Sequence, residues 1–127
     1  MDYKSLTRGL SVGSQVTVAD LPALKQAGFR AIICNRPDGE EADQPTFEEV
    51  SRAAQDLGLE TLYLPVVAGR VSDKEAAAFG AALTTLPGPV LAFCRSGLRT
   101  TTLWSLSEAK SKPFFSRYSE CDKGCGL

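Results

Sequence analysis

The chain has 127 residues, of which 43% are hydrophobic and 23% are charged. This length leaves room for one hydrophobic core, because two smaller halves would each bury too little apolar surface. The formal net charge of -1 is ordinary for a globular protein and excludes the strong field that attracts nucleic acid or anionic lipid. We therefore expect one domain over residues 1–112, with neither nucleic acid nor a membrane as a partner.

In chain order, the sequence predicts a strand near residues 10–16, a helix over 21–27, a strand over 30–34, a helix over 47–57, a strand over 61–67, a helix over 75–86, a strand over 90–94 and a helix that Pro113 ends. The strands are short apolar runs, and the first three helices end at glycine or proline. Each of those helices follows a capping box, in which a hydroxyl residue precedes an acid by three positions: Thr17 with Asp20, Thr46 with Glu49, and Ser72 with Glu75.

This alternation predicts an α/β fold with a central, mostly parallel sheet of four to five strands flanked by helices, because parallel strands need helical crossovers. Ligands collect at the carboxyl ends of such strands. The loops over residues 35–44, 68–71 and 95–99 follow predicted strand ends. We therefore expect these loops to approach one another and to form the site.

The last residues differ from the rest of the chain. Residues 113–127 show neither a helical nor an alternating period and predict an irregular C-terminal tail. Apolar surface exposed at this break in composition would favour a homodimer. Cys121 and Cys125 lie in the tail, and two thiols without further ligands are a weak signal for zinc.

The start of the chain and its cysteines predict a cytoplasmic protein with reduced thiols. Residues 1–10 carry charged side chains and no apolar run, unlike a signal peptide or a membrane anchor. The four cysteines, which include Cys34 and Cys94, are irregularly spaced, and this favours free thiols over disulfides. The chain has no histidine, so the commonest general base and zinc ligand are excluded, and no metal or organic cofactor is expected.

The segment from Cys94 to Thr100 combines a strand end, a turn with one glycine and the start of a helix rich in hydroxyl groups. In such a turn successive N–H groups point inward and form a nest for an anion, with Gly97 supplying the unusual backbone angle. A cysteine there should have a depressed pKa, within roughly 3.5–7.5, and should be a thiolate without any histidine. Arg99 presents a planar fork of donors to an oxyanion above the sulfur, and Thr100 or Ser96 can hydrogen-bond the sulfur. The candidate anion-binding residues of this loop are Arg95, Ser96, Gly97, Leu98 and Thr100.

The alternative interpretation makes Cys94 a small buried residue that closes a strand. It does not account for two arginines and a glycine within the next five positions. We therefore favour a reactive thiol.

Three stretches of the chain resemble a known family: SVGSQVT at residues 11–17, CNRPDGEE at residues 34–41 and CRSGLR at residues 94–99. They are similar to the phosphatase-like domain called beta-lactamase hydrolase-like, and the resemblance covers about residues 6–109. It implies the three-layer fold of dual-specificity and tyrosine phosphatases. It also implies kinship with modules found alone or fused to sulfide- and persulfide-handling enzymes, with Cys94 as the nucleophile and Arg99 as the oxyanion binder.

The catalytic loop departs from that of phosphatases and resembles the Cys-Arg-Ser-Gly loop of rhodanese-like sulfurtransferases. Four residues separate Cys94 from Arg99 where phosphatases have five, and Phe93 stands where they have a histidine. A tighter ring suits a terminal sulfur atom better than a tetrahedral phosphoryl group. The loop over residues 67–71 also lacks the aspartic acid that protonates the leaving group in phosphatases of this fold.

The loop after the second predicted strand leaves two alternatives open. Asp38 is a candidate proton donor, but proline and aspartate are equally typical of a turn held by its own side chains. Arg36 either binds an anion or pairs with Glu40 or Glu41. Cys34, expected at the same sheet edge as Cys94, either resolves a persulfide or disulfide formed there or is inert core.

Three functions remain, and all of them bind a small anion such as thiosulfate, a persulfide or a phosphate ester. We expect an enzyme and favour sulfane-sulfur transfer through a Cys94 persulfide, because the departing sulfite or thiolate needs little acid catalysis. The alternative is a phosphatase-like hydrolase of phosphate monoesters that forms a phosphocysteine, with Asp38 or water as proton donor. The third is a non-catalytic anion-binding or sensing module.

Overall fold

Short, mostly parallel strands build the sheet at the centre of the fold. In the computed structural model, which describes residues 2–111, the strands are β1 (Tyr3–Thr7), β2 (Leu10–Gly13), β3 (Ala31–Cys34), β4 (Glu60–Tyr63) and β5 (Val90–Phe93). Their order across the sheet is β1-β2-β5-β3-β4, with β1 antiparallel to β2 and the other neighbours parallel. The predicted α/β fold with a mostly parallel sheet is therefore confirmed.

The first three helices follow the three predicted capping boxes. A 3-10 turn (Val18–Asp20) leads into α1 (Leu21–Gln26), and it is followed along the chain by α2 (Phe47–Asp56), α3 (Asp73–Thr85) and α4 (Leu98–Ser111). In the second box the Thr46 hydroxyl accepts from the Glu49 N–H at 3.2 Å, and the Glu49 carboxylate accepts from the Thr46 N–H at 2.9 Å. Both groups would otherwise be unpaired at the helix N-terminus.

Two apolar cores separate the helices into layers, because successive strand residues face opposite sides of the sheet. Ile32, Leu91 and Phe93 pack with the buried residues of α1 and α2. Ile33 and Ala92, one position along, pack with α3 and α4. This arrangement buries β3 and β5 on both faces and brings their carboxyl ends side by side.

The sequence prediction missed one strand and overextended two others, of which β2 ends at Gly13 instead of near residue 16. β1 is an exposed edge strand with no apolar alternation, so nothing in its pattern indicated a strand. β4 ends at Tyr63 instead of extending to residue 67, because Pro65 has no N–H to add to the sheet. Within residues 2–111, no helix combines the length and the apolar character needed to cross a bilayer. The predicted tail over residues 113–127, with Cys121 and Cys125, lies outside the described residues.

Candidate active site

The cysteine loop joins β5 to α4 at the carboxyl edge of the sheet. Gly97 closes it with a φ of +96°, in the left-handed region that favours glycine. The closed turn points the Gly97 N–H at Cys94 Sγ, at 3.1 Å. The loop is also tied to the end of β2, since the Cys94 N–H donates to the Gly13 carbonyl and the Gln15 N–H to the Arg95 carbonyl, both at 3.4 Å.

The sulfur of Cys94 lies inside this turn, and the residue is only 1% exposed. Burial raises the pKa of the thiol, but hydrogen bonds from the backbone and hydroxyl of Thr100 and from the N–H groups of Gly97 and Ser96 outweigh it and lower the pKa below its ordinary value. The shift has the direction that the sequence predicts, and no histidine contributes to it.

Arg99 is fixed from one side, and this leaves its other side available to an anion. Its Nη1 donates to Glu40 Oε2 and to the Val66 carbonyl, both at 2.8 Å, and its Nη2 donates to Glu40 Oε1 at 3.1 Å. The side chain is 10% exposed. Within the described residues, the Nε–H and the second Nη2 N–H have no acceptor, so one edge of the guanidinium can take an oxyanion with two parallel hydrogen bonds.

Two adjacent carboxylates join three arginines around the loop. Glu40 accepts from Arg36 Nε at 3.0 Å as well as from Arg99, and Glu41 bridges Arg36 at 2.7 Å and Arg95 at 3.3 Å. Hydrogen bonding to Arg99 lowers the pKa of Glu40, and hydrogen bonding to Arg36 lowers the pKa of Glu41. The network holds one more positive than negative charge, so it favours an anion without leaving its guanidinium groups unpaired.

The acidity of Glu40 makes the fold sensitive to low pH, and this gives a first prediction. Because the pKa of folded Glu40 lies below its unfolded value of about 4.3, the stabilisation is complete above that pH and is lost as the pH falls through the folded value. The Glu40→Gln variant should therefore be less stable than wild type at pH 7, by about 0.5–1 kcal/mol for a partly exposed pair, and the difference should disappear as the pH falls through the folded pKa of Glu40. Urea unfolding measured across this pH range tests the convergence.

A matched control is Glu48→Gln, which removes an ion pair of the same 2.8 Å length between the exposed side chains of Glu48 and Arg52. Solvent screens this pair, so its removal should change stability little at any pH. Equal pH profiles for the two variants would contradict a specific role for Glu40.

Arg36 and Asp38 both form side-chain hydrogen bonds that stabilise the structure around the cysteine loop. Arg36 is 2% exposed and gives its donors to Glu40, Glu41 and Gln15, so it pairs with the acids, which is the second of its two predicted roles. The Asp38 carboxylate accepts from the Phe47 N–H at 2.8 Å, at the first turn of α2. This hydrogen bond fits the alternative in which Asp38 holds a turn through its own side chain. The role of Asp38 as proton donor stays a prediction.

Cys34 has the character of a core residue. It is 3% exposed, belongs to the apolar cluster under α1 and α2, and its thiol donates to the Arg36 carbonyl at 3.3 Å. Burial raises the pKa of this thiol to about 12. A thiol that stays protonated is a poor nucleophile, so the inert alternative fits Cys34 better than a resolving role.

A cavity of about 510 Å³ opens beside the loop, and its lining residues are Ala68, Gly69, Val71, Arg95, Ser96, Leu98, Arg99 and Thr102. The loop over residues 68–71 therefore meets the loop over residues 95–99, and Glu40 and Glu41 bring in the loop over residues 35–44. The predicted meeting of three loops is confirmed. The lining residues include no carboxylate, and Leu98 is 72% exposed at the rim.

Sequence reasoning missed three contributors to the site. Glu40 was expected only as a partner of Arg36, whereas it also holds Arg99. Gln15 accepts from Arg36, and Asn35 accepts from Thr100, but single polar residues in loops carry no signal of their partners. Position was a usable signal only for Asn35, which follows the predicted strand over residues 30–34, whereas Gln15 fell within the predicted strand near residues 10–16.

A cysteine loop that joins the last strand of a parallel sheet to a helix, with an arginine at the start of that helix, defines a protein of the tyrosine-phosphatase-like fold. The chain belongs to the family described as beta-lactamase hydrolase-like protein, phosphatase-like domain, which matches residues 2–111. A beta-lactamase hydrolase-like protein of Agrobacterium fabrum is 37% identical over 100 residues, which cover 79% of this chain and 23% of that protein. The chain thus spans about a quarter of the length of the curated relatives it matches.

Solved structures agree with this family. A candidate phosphatase from Neisseria meningitidis is 30% identical, with a TM-score of 0.79 over 97% of this chain and 87% of that chain. A candidate phosphatase from Shewanella putrefaciens, with 20% identity and a TM-score of 0.73 over 98% and 79% of the two chains, shows the fold alone. Family and fold support a cysteine-based, phosphatase-like function, whereas the sulfur transfer favoured from the sequence is not confirmed.

Proposed function

We propose that this protein hydrolyses small phosphate monoesters through a phosphocysteine at Cys94. One observation carries the proposal: a sulfur ringed by N–H donors lies in the same loop as an arginine whose open edge can bind an oxyanion. Similarity to a candidate phosphatase over most of both chains supports phosphoryl chemistry. Arg99 holds two phosphate oxygens in this proposal, and the N–H of Arg95 binds the third.

The reaction proceeds in two displacements. The Cys94 thiolate attacks phosphorus, and the bond from phosphorus to the ester oxygen breaks with its electron pair on that oxygen. Water then attacks phosphorus, the S–P bond breaks, the electron pair returns to sulfur, and the proton lost by the water passes to solvent or phosphate. The donors that lower the pKa of Cys94 serve both steps, because the sulfur is charged at the beginning and at the end.

The described side chains around the loop offer no protonated carboxyl group to the leaving group, and this restricts which esters can react. No carboxylate lines the cavity beside Arg99, and ion pairs keep Glu40 and Glu41 ionised. Water is therefore the proton donor in this proposal. Aryl esters, whose phenolate departs as a weak base, are the substrates that need such a donor least.

Sulfane-sulfur transfer is the second candidate, and the length of the loop favours it. Only four residues separate Cys94 from Arg99. In this reaction the thiolate attacks the outer sulfur of thiosulfate, sulfite departs with the bonding pair, and a small thiol later removes the sulfur from the Cys94 persulfide. Neither departure requires a protonated carboxyl group.

Rates with an aryl phosphate and with thiosulfate plus a thiol acceptor, measured side by side, decide between the two. We expect turnover of the aryl phosphate in wild type and at least a 10³-fold loss in Cys94→Ser, because removal of a nucleophile eliminates the covalent route. Intact mass after a rapid quench should show the added phosphoryl group in wild type and not in the variant.

The opposite result would replace the proposal. Sulfur transfer that depends on Cys94, without phosphate release, would establish the second candidate. Thermal stabilisation by phosphate that is equal in wild type and Cys94→Ser, with no turnover of either substrate, would leave an anion-binding module, the third hypothesis.

A further inference from the structure

A buried hydrogen bond between the side chains of Asn35 and Thr100 lies next to the cysteine loop. The side chains of Asn35, after β3, and Thr100, in α4, are both 0% exposed. The Thr100 hydroxyl donates to Asn35 Oδ1 at 2.9 Å. Polar groups buried this completely are costly unless they are paired, so this contact is a fixed part of the structure.

The amide of Asn35 is held in one orientation. Its Nδ2 donates to the Leu64 carbonyl at 2.9 Å, which leaves Oδ1 facing Thr100. Its own backbone N–H donates to the Phe93 carbonyl at 2.8 Å, and its carbonyl accepts from the Val66 N–H at 2.9 Å. Rotation of the amide would break the bond to Leu64, so Oδ1 is a stationary acceptor.

The hydroxyl of Thr100 has one proton but two acceptors within reach. One acceptor is Asn35 Oδ1, and the other is the sulfur of Cys94, whose pKa this hydroxyl helps to lower. A single proton cannot serve both at once. A charged acceptor forms the stronger hydrogen bond, so a thiolate competes successfully with the neutral amide, whereas a protonated or covalently bound sulfur does not.

We propose that Asn35 is a positioning residue that accepts the Thr100 hydroxyl while the Cys94 sulfur is uncharged and gives it up when the sulfur becomes a thiolate. The O–H bond stays intact throughout, and only the acceptor changes. Asn35 thereby keeps the hydroxyl paired during the covalent intermediate and aimed at the sulfur that is next released. The inference goes beyond the proposed reaction, because it applies to a phosphocysteine and a persulfide alike.

Removal of the amide acceptor should favour the thiolate. In Asn35→Leu the buried hydroxyl is paired only when Cys94 is ionised, so the pKa of Cys94 should fall by about half to one pH unit, the equivalent of one net hydrogen bond. In Thr100→Val the thiolate loses a donor, so the pKa should rise by a similar amount. In the double variant the pKa should equal that of Thr100→Val, because Asn35 acts only through the hydroxyl.

The test is the pH dependence of alkylation by iodoacetamide, read by mass spectrometry on the peptide that contains Cys94. It requires no substrate, so its failure and a failure of the proposed reaction are separate results. Thr100→Ser keeps the hydroxyl and should restore the wild-type profile. The variants leave unchanged the titratable and charged groups around the loop, which are Cys34 on β3, Arg36, Asp38, Glu40 and Glu41 on the loop after it, and Arg95 and Arg99.

A purely structural Asn35 would shift the profile equally with and without the Thr100 hydroxyl, and this outcome would overturn the proposal. Thermal unfolding establishes whether Asn35→Leu is folded. If it is not, Thr100→Val alone decides, because an unchanged alkylation profile in that variant would show that the hydroxyl does not reach the sulfur.

Discussion

Replacement of Arg99 by lysine is expected to lower kcat/KM for an aryl phosphate by about 10²–10³-fold, the usual cost of losing an oxyanion donor. Lysine keeps the positive charge but cannot hold Glu40 with two donors, contact the Val66 carbonyl and present a second edge to an oxyanion. The loss should therefore follow from geometry and not from charge. Steady-state kinetics at several substrate concentrations measure it.

Arg95→Lys is the matched control, since it makes the same chemical change four positions earlier in the loop. The Arg95 side chain is 65% exposed, and the one ion pair that it forms within residues 2–111, with Glu41, is long at 3.3 Å. Its replacement should change kcat/KM by less than about 5-fold. Equal losses in the two variants would mean that the loop needs only net positive charge and that the open edge of Arg99 binds nothing.

The fold could be predicted because its signals are local. Capping boxes such as Thr46 with Glu49 place helix starts through contacts within four residues, and strands such as β3 and β5 are apolar because both of their faces are buried. The edge strand β1 had no such signal, since its side chains face solvent and its register depends on β2 alone. Local rules thus fixed the interior of the sheet and failed at its edge.

The site was predictable only in part, for a related reason. The position of Cys94 and the lowered pKa of its thiol follow from a short segment whose N–H groups converge. The contact of Glu40 with Arg99 spans 59 residues, and that of Asn35 with Thr100 spans 65 residues. Partners so distant are chosen by the packing of the sheet, so sequence reasoning could name these residues without pairing them.

The role of Asp38 was also hard to predict, because its residue type allowed two different roles. Its residue type suited a proton donor, and its position in the sequence suited a turn. In the structure its carboxylate accepts a hydrogen bond from the Phe47 N–H. The ring of Phe47 in turn stacks on that of Tyr63, with 4.8 Å between the ring centroids. The chemistry of a side chain shows what it can do, but its hydrogen-bond partners decide what it is free to do.

Gly97→Ala should disable the loop and destabilise the protein together. A φ of +96° is strained for alanine and costs about 1–2 kcal/mol. The added Cβ would lie 3.5 Å from the Gly13 carbonyl oxygen, an ordinary contact, so the cost is conformational and not a clash. Relaxation of the strain rotates the Gly97 N–H away from Cys94 Sγ, so we expect the pKa of Cys94 to rise and turnover to fall by about 10- to 100-fold, the value of a hydrogen bond to a charged group.

Gly28→Ala separates the two effects. Gly28 has a φ of +104°, nothing lies within 4 Å of an added Cβ, and the residue lies between α1 and the start of β3, at the opposite end of that strand from the edge that carries the cysteine loop. Urea unfolding should show similar destabilisation for both variants, whereas only Gly97→Ala should change the alkylation profile and the turnover of Cys94. If Gly97→Ala lost stability but kept a wild-type pKa at Cys94, the N–H of residue 97 would contribute nothing to the thiolate, and the remaining donors, from Ser96 and Thr100, would have to account for the whole shift.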